Sequence, residues 1–396
     1  MNKKLCAIMA AAVLVLSLLA LGSATGPSST DKVRLYIQAT TDDAQADLHA
    51  LDVRHEFADG VVSVEVSPQA AEQLENNPRF TVLGQATQWH VDAKPGSGTA
   101  TRQYTPSDQT PWGMQAVYND PALTATSGGA GVTVAVLDTG AKKDHFDLKN
   151  RIVQCKDFTR GGVRNGCNDV YGHGTHVAGT IAADGGSDGR GIYGVAPEAS
   201  LYAYKVCGNS GLCWSDDVAA AIAHAADQGA NIVSMSLGGS ALASVERNAI
   251  DYAVASDVLV IAAAGNSGPN LNTIGYPGAY VKVVAVAALN SLLSVADFSS
   301  RGVNDGDFIV EEREVEIAMP GVAVESTWND GGYRTISGTS MATPHASGLA
   351  ARHWQGSAAA TRTWLQSQAA LWDITSGQYA AVGDDPASGL GFATVG

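Results

Sequence analysis

The sequence is short of charge, and what charge it has is mostly of one sign. Charged residues make up 16% of the 396, with 24 Lys and Arg against 39 Asp and Glu, a formal net charge of -15. The acidic residues are spread along the chain, and no basic patch stands ready for a phosphate backbone. Nucleic acid is thereby set aside as a partner, and the acidity reads as a solubilising surface. Cysteine is scarce, five in all, and no His lies at ligand spacing from any of them, which argues against a zinc site. Beyond the first two dozen residues no stretch is long and apolar enough to cross a bilayer. No internal repeat is found.

What remains is the composition of an ordinary soluble globular protein, 45% hydrophobic with a mean hydropathy near zero. That is enough chain for one large core and a smaller companion domain. Residues 1–24 have the form of an export signal: Lys3 and Lys4, an apolar run from Leu5 to Leu21, then small Gly22-Ser23-Ala24. The competing reading is an uncleaved membrane anchor, since such a run is borderline for spanning. With the signal goes Cys6. Of the four cysteines left, Cys155 and Cys167 bracket one polar Gly-rich loop, and Cys207 and Cys213 bracket another. In an exported protein, two local disulfides are the economical choice among three pairings, with buried free thiols as the alternative. Each bridge is worth roughly 2–3 kcal/mol through its effect on the unfolded chain.

Residues 31–91 read as a small α+β unit in β-α-β-β-α-β order. Strands are expected at Val33 to Gln38, around Arg54 to Phe57, at Val61 to Val66 and at Phe80 to Leu83, with helices from Thr41 to Leu51 and after Ser67. A stretch rich in Gly, Ser, Thr and Pro follows, Ala93 to Arg102, which reads as an exposed linker open to proteolysis. From about Thr110, strands alternate with helices. Val132 to Leu137, Leu201 to Val206, Ile232 to Leu237, Val258 to Ala264 and Val281 to Ala288 are expected as buried strands. Helices are expected at His173 to Ala183, Asp216 to Asp227 and Val245 to Ala255. Such alternation predicts an α/β fold, a mostly parallel sheet covered by helices on both faces. The acidic stretch Asn304 to Glu316 reads as a surface excursion.

Three segments carry the chemistry. Val132 to Gly140 puts the Asp138 carboxylate at the carboxyl end of a buried strand, and Gly172-His173-Gly174-Thr175-His176 puts an imidazole at a helix start. Gly338-Thr339-Ser340-Met341-Ala342-Thr343-Pro344 puts a hydroxyl where a loop enters a helix. In open α/β sheets, sites gather beyond the carboxyl ends of strands. Serine is a weak nucleophile until a base takes its proton. Neutral imidazole serves when a carboxylate fixes its tautomer. Ala263-Ala264-Gly265-Asn266 adds an amide that, with the Ser340 backbone N–H, is placed to donate to an oxyanion. Singly, each residue has a plain structural explanation; a serine there is more often a helix cap. His176 and His345 read as packing residues, and the glutamate of a helical zinc-protease motif is missing. An α/β-hydrolase esterase would place its acid and His after the serine, within Gly-x-Ser-x-Gly; here both precede Ser340, and Ala342 replaces the last glycine. A non-catalytic binding protein on the same fold is the other rival.

Together these motifs, His-Gly-Thr-His, Ala-Gly-Asn and Gly-Thr-Ser-Met-Ala-Thr-Pro-His in that order, resemble the subtilisin-like serine proteases from Pro111-Trp112-Gly113 to Gly389-Leu390-Gly391-Phe392. The resemblance implies a secreted, self-processing serine endopeptidase acting on polypeptides, without stable membrane association once the signal is cut. It implies a signal at 1–24, a ferredoxin-like propeptide at 25–92 that assists folding and inhibits, a linker at 93–104 and a catalytic domain at 105–396. Self-cleavage is expected between Lys94 and Ser107, with Tyr104 the favoured position. Ser236-Leu237-Gly238 and Ala263-Ala264-Gly265 become walls of the pocket for the residue before the scissile bond, with Gly275 near its floor, and Gly211-Leu212 an edge that pairs with extended substrate. Small walls imply cleavage after apolar or aromatic residues. The resemblance also implies structural calcium, with Asp147, Asp184 and Asp188 as candidate ligands; the alternative at that loop is a Gly-rich surface turn.

Overall fold

The computed structural model describes residues 32–91 and 105–396. The expected signal, the linker and the Tyr104 junction lie outside the described residues. The described residues divide into two compact units: those up to Thr87 with Ala243–Val245, and those from Gln88 onward without Ala243–Val245.

The first unit is the expected α+β arrangement. Strands Val33–Ala39, Val53–Glu56, Val61–Val66 and Phe80–Gln85 form an antiparallel sheet with Val33–Ala39 and Val61–Val66 in its middle. Helices Asp42–Leu48 and Pro68–Glu75 connect them, capped by the hydroxyls of Thr41 and Ser67, which accept from Ala44 and Ala70 N–H. Those caps satisfy donors that the first turn leaves open. Leu35, Ile37, Leu48, Val62, Val64 and Leu74 close the small core.

The second unit is built on an eight-stranded sheet. Its order is Ile317–Pro320, Val284–Leu289, Leu259–Ala263, Ile232–Met235, Thr133–Asp138, Ser200–Lys205, Ile152–Asp157 and Arg164–Asn165. All neighbours run parallel except the last pair. The central strands are buried along their length, as a sheet covered on both faces demands. Helices His173–Ala182, Ser215–Asp227, Ser244–Ala255, Thr339–Arg352 and Ala358–Ala369 complete the layers. Both expected disulfides are present, Cys155–Cys167 and Cys207–Cys213. Among the described residues, no helix is long and apolar enough to cross a membrane.

Several elements were not foreseen. The strand Ile152–Asp157 and the hairpin Val324–Thr327 with Tyr333–Ile336 carry mixed polar residues that hide their burial. Gln88–Val91 is also a strand, and it belongs to the second unit. The acidic stretch is only partly a surface excursion. Glu316 is fully buried, and its carboxylate accepts from Arg362 at 2.7 and 2.9 Å and from Gln366 at 2.9 Å. A charge run in sequence cannot reveal a partner 46 residues away.

Two histidines lie in the core, as their packing reading requires. His176 Nε2–H donates to the carbonyls of Val324 and Arg334, and His345 Nδ1–H donates to Met341 O. Burial pushes His176 down to about 3, helped by neighbouring His173, and pushes His345 down to about 4. The unfolded chain protonates both near pH 6.5 while the folded chain keeps them neutral, so stability is lost as pH falls from 6.5 toward 4. Each contributes a slope of about 1 kcal/mol per pH unit. In a Ser340→Ala background, which avoids self-digestion, His345→Gln is expected to flatten the decline of Tm between pH 6.5 and 4.5. An unchanged slope would contradict a neutral, buried His345.

Candidate active site

Three neighbouring strands of the large sheet end at the site. Asp138 is the last residue of Thr133–Asp138, Ser236 follows Ile232–Met235, and Asn266 lies three residues past Leu259–Ala263. The helices that begin at His173 and Thr339 pack against each other above these ends. Residues 35 to 202 positions from Asp138 in the chain are thus delivered to one rim by sheet topology.

Asp138 and His173 are both fully buried. His173 Nδ1 meets the two Asp138 carboxylate oxygens at 2.8 and 3.0 Å, and Thr139 N–H adds a bond to Oδ1 at 2.7 Å. With Nδ1–H donating to the carboxylate, Nε2 is left as the basic nitrogen of the neutral ring. Gly172, the residue before the helix, has φ +103°, and a Cβ there would strike the Trp328 ring at 2.4 Å. Only glycine lets the chain turn at this point and present His173 on the first helical turn.

Asp169 stitches the two segments together. Its Oδ1 accepts from Thr139 Oγ1 at 2.9 Å and Gly172 N at 2.7 Å, and its Oδ2 accepts from Thr175 N at 2.9 Å and Thr175 Oγ1 at 2.7 Å. Thr139 Oγ1 in turn accepts from Gly174 N at 2.9 Å. Lys205, opposite Asp138 in the sheet, donates to the carbonyls of Thr139 and Cys207, each at 2.8 Å. Burial pushes the Lys205 amine down, while Asp169, Asp157 and Asp138 hold it up. None of these helpers was picked out in sequence. An Asp four residues before a helical His is a faint capping signal, and the intervening Gly172 obscures it.

Around Ser340, the hydroxyl donates to the Ser236 carbonyl at 3.0 Å, and Ser236 Oγ donates back to Ser340 O at 2.8 Å. The hydroxyl is therefore turned toward the Ser236 carbonyl. Asn266 Oδ1 accepts from Thr339 N at 3.0 Å and Thr339 Oγ1 at 3.2 Å, which leaves the Asn266 amide nitrogen as the group available to donate. Gly265 N donates to Thr339 Oγ1, and Gly275 N donates to Ala264 O. Ser236, Ala264, Gly265 and Gly275 thus meet beside Ser340, with Ala263 buried at the end of its strand.

An extended segment of the chain's own lies beside Gly211 and Leu212. Gln88–Val91 lies antiparallel between Leu212–Trp214 on one side and Leu237–Gly238 on the other, with Val91 N–H bonded to Gly211 O at 3.1 Å. The Cys207–Cys213 bridge closes the turn that presents Gly211 and Leu212. Trp89 is fully buried in the second unit against Gly239, where a Cβ would meet the indole at 2.3 Å.

The three candidate metal ligands behave differently. Asp147 is buried; its Oδ2 accepts from Tyr333 OH at 2.7 Å and Ile192 N at 3.0 Å, while its Oδ1 is buried without a hydrogen-bond partner. Asp184 is tied to Arg151 at 3.3 Å and to the Asn150 amide. Asp188 is exposed and caps Arg190 N–H. Asp147 thus offers one unpartnered carboxylate oxygen, and the other two carboxylates are not gathered around it.

Comparison with known proteins agrees with this geometry. Residues 129–384 match the subtilase family model, Peptidase_S8. The chain is 54% identical over 307 residues to a subtilisin of Bacillus sp. (strain TA39), covering 73% of each sequence. It also resembles two solved structures, an S41 psychrophilic protease and sphericase, each 54% identical, with TM-scores of 0.71 and 0.72 and coverage of 73% of this chain and 99% of theirs. A mostly parallel sheet that delivers Asp138, His173, Asn266 and Ser340 to one rim, together with this likeness, makes the chain a member of the subtilase family and a serine endopeptidase.

Proposed function

We propose that the protein is a secreted, self-processing subtilase in which Ser340 attacks the peptide carbonyl, His173 takes and returns the proton, and Asp138 orients the ring. The observation that carries this is the fully buried Asp138–His173 pair at 2.8 Å. For the attack, the Ser340 hydroxyl exchanges its bond to Ser236 O for one to His173 Nε2. The attack forms a tetrahedral oxyanion that accepts from Asn266 Nδ2 and the Ser340 N–H. His173 then protonates the leaving amine. A water, deprotonated by the same ring, hydrolyses the acyl-enzyme.

The pocket for the residue before the scissile bond is assigned to Ser236, Leu237, Gly238, Ala263, Ala264, Gly265 and Gly275. Its small, uncharged lining supports cleavage after apolar or aromatic residues. Main-chain pairing with Gly211 and Leu212 supplies affinity along the extended substrate. The strand Gln88–Val91, seated on those same edges, supports reading residues 25–92 as an inhibitory propeptide that follows a signal at 1–24. It also favours a first cut soon after Val91, ahead of or at the start of the 94–107 stretch, with Tyr104 as the site of later trimming. Export agrees with the two disulfides. Ser340→Ala is expected to yield a stable, unprocessed precursor after signal removal, seen by intact mass and amino-terminal sequencing. A mature-length Ser340→Ala protein would refute self-processing.

Calcium binding is common in this family, and Asp147 is the residue we assign to hold it here, its orphaned buried oxygen supplying the hard donor. Burial otherwise raises the Asp147 carboxyl, a cost that a dication would remove. The ion would brace the 184–191 loop and take no part in bond cleavage. Chelator is expected to lower the Tm of the wild-type protein by several degrees and to leave Asp147→Asn unaffected. A wild-type Tm indifferent to chelator would remove calcium from the account.

A further inference from the structure

We propose that Asp169 is the positioning residue of the reaction: it holds the His173 ring in register with Asp138 without touching substrate. The inference rests on the assignment of Asp138 and His173 as the catalytic pair. Asp138 ends a strand and His173 starts a helix 35 residues later, so nothing covalent and local fixes one against the other. Four hydrogen bonds converge on the Asp169 carboxylate, from Thr139 next to Asp138 and from Gly172 and Thr175 on either side of His173. Gly172 has no side chain to cap the helix, so Asp169 satisfies the open N–H of Thr175 in its place. Thr139 Oγ1 carries the link onward to Gly174 N–H, and Thr175 Oγ1 carries it to Lys142 N–H. The segments 138–142 and 172–175 are thereby closed into one polar frame.

Two further features hold Asp169 itself. The Cys155–Cys167 bridge fixes the chain two residues before it, and Cys167 O accepts from Ala141 N at 2.7 Å. Lys205 places a buried cation among Asp169, Asp157 and Asp138. Each Asp169 oxygen accepts from a backbone N–H. An asparagine there, in either orientation, turns its NH2 group against one of those donors. The frame then relaxes, and displacement of the catalytic pair by about an ångström costs on the order of 100-fold in rate. The strands that grip substrate, Gly211–Leu212 and Leu237–Gly238, lie outside this frame, so binding is spared.

The test compares Asp169→Asn, Thr139→Val and Thr139→Ser in the full chain, with kcat referred to active sites titrated by a serine-directed inhibitor. Expected are a 10- to 100-fold fall in kcat for Asp169→Asn, about a 10-fold fall for Thr139→Val, recovery in Thr139→Ser, and KM within threefold throughout. The low-field NMR resonance of the His173 Nδ1 proton should move in the first two variants and return in the third. Unchanged kcat per titrated site in Thr139→Val, equal loss in Thr139→Ser, or KM rising in step with the loss of kcat would overturn the role. If Asp169→Asn does not fold, the threonine pair decides. Ser340→Ala run alongside separates the two claims: turnover near the wild-type level there would indict the catalytic pair, whereas a Ser340→Ala protein reduced to the residual rate beside a fully active Thr139→Val would indict Asp169.

Discussion

A fully buried carboxylate at the end of a strand is costly unless every lone pair is met, and Asp138 is such a group. Its compensation comes from the His173 ring and the Thr139 N–H, with the Lys205 cation close by. Much of the surrounding construction follows from that requirement. The ring must arrive at the right height, which needs a helix starting at residue 173. That start needs the left-handed turn at Gly172, and its open N–H groups need Asp169. The polar cluster around Asp138 and His173 is what makes burying them tolerable.

The other half of the site is assembled by the sheet. Adjacent strands end at Asp138, at Met235 and at Ala263, so the loops that follow bring Ser236 and Asn266 alongside the helix carrying Ser340. Reciprocal bonds between Ser236 and Ser340, and two bonds from Thr339 to Asn266 Oδ1, lock that helix start to the strand ends. Because the Asn266 carbonyl oxygen is already occupied, its amide nitrogen is the part left to meet charge. Fold and reactivity share the same bonds.

An endopeptidase of this kind endangers its own chain, and under the proposed function the strand Gln88–Val91 answers that problem as part of an inhibitory propeptide. The strand pairs with Leu212–Trp214 on one side and Leu237–Gly238 on the other and buries Trp89 against Gly239. Bringing an extended segment into a preformed cleft needs few specific side chains, since main-chain bonds do most of the holding. That is why the segment was not legible beforehand: four residues, Gln88-Trp89-His90-Val91, give too short an alternation, and their partners lie more than 120 positions away. The core strands were legible because β-branched runs such as Val132 to Leu137 report burial directly, and the catalytic motifs because glycines flank each reactive residue. Asp169, Lys205 and Glu316 were not, because a charge in sequence reads as solvated until its distant partner is known. At the 184–191 loop the sequence offered three carboxylates. Structure separates one orphaned and buried oxygen from a group paired with Arg151 and another facing solvent.

The central claim is that Asp138, His173 and Ser340 act as one chemical unit. Covalent labelling with a peptidyl phosphonate ester, followed by peptide mass mapping, addresses it most directly. The account predicts a single adduct on Ser340 that forms in step with loss of activity and does not form in His173→Ala. An inactivated enzyme carrying its adduct elsewhere, or labelling of Ser340 undiminished without His173, would contradict it.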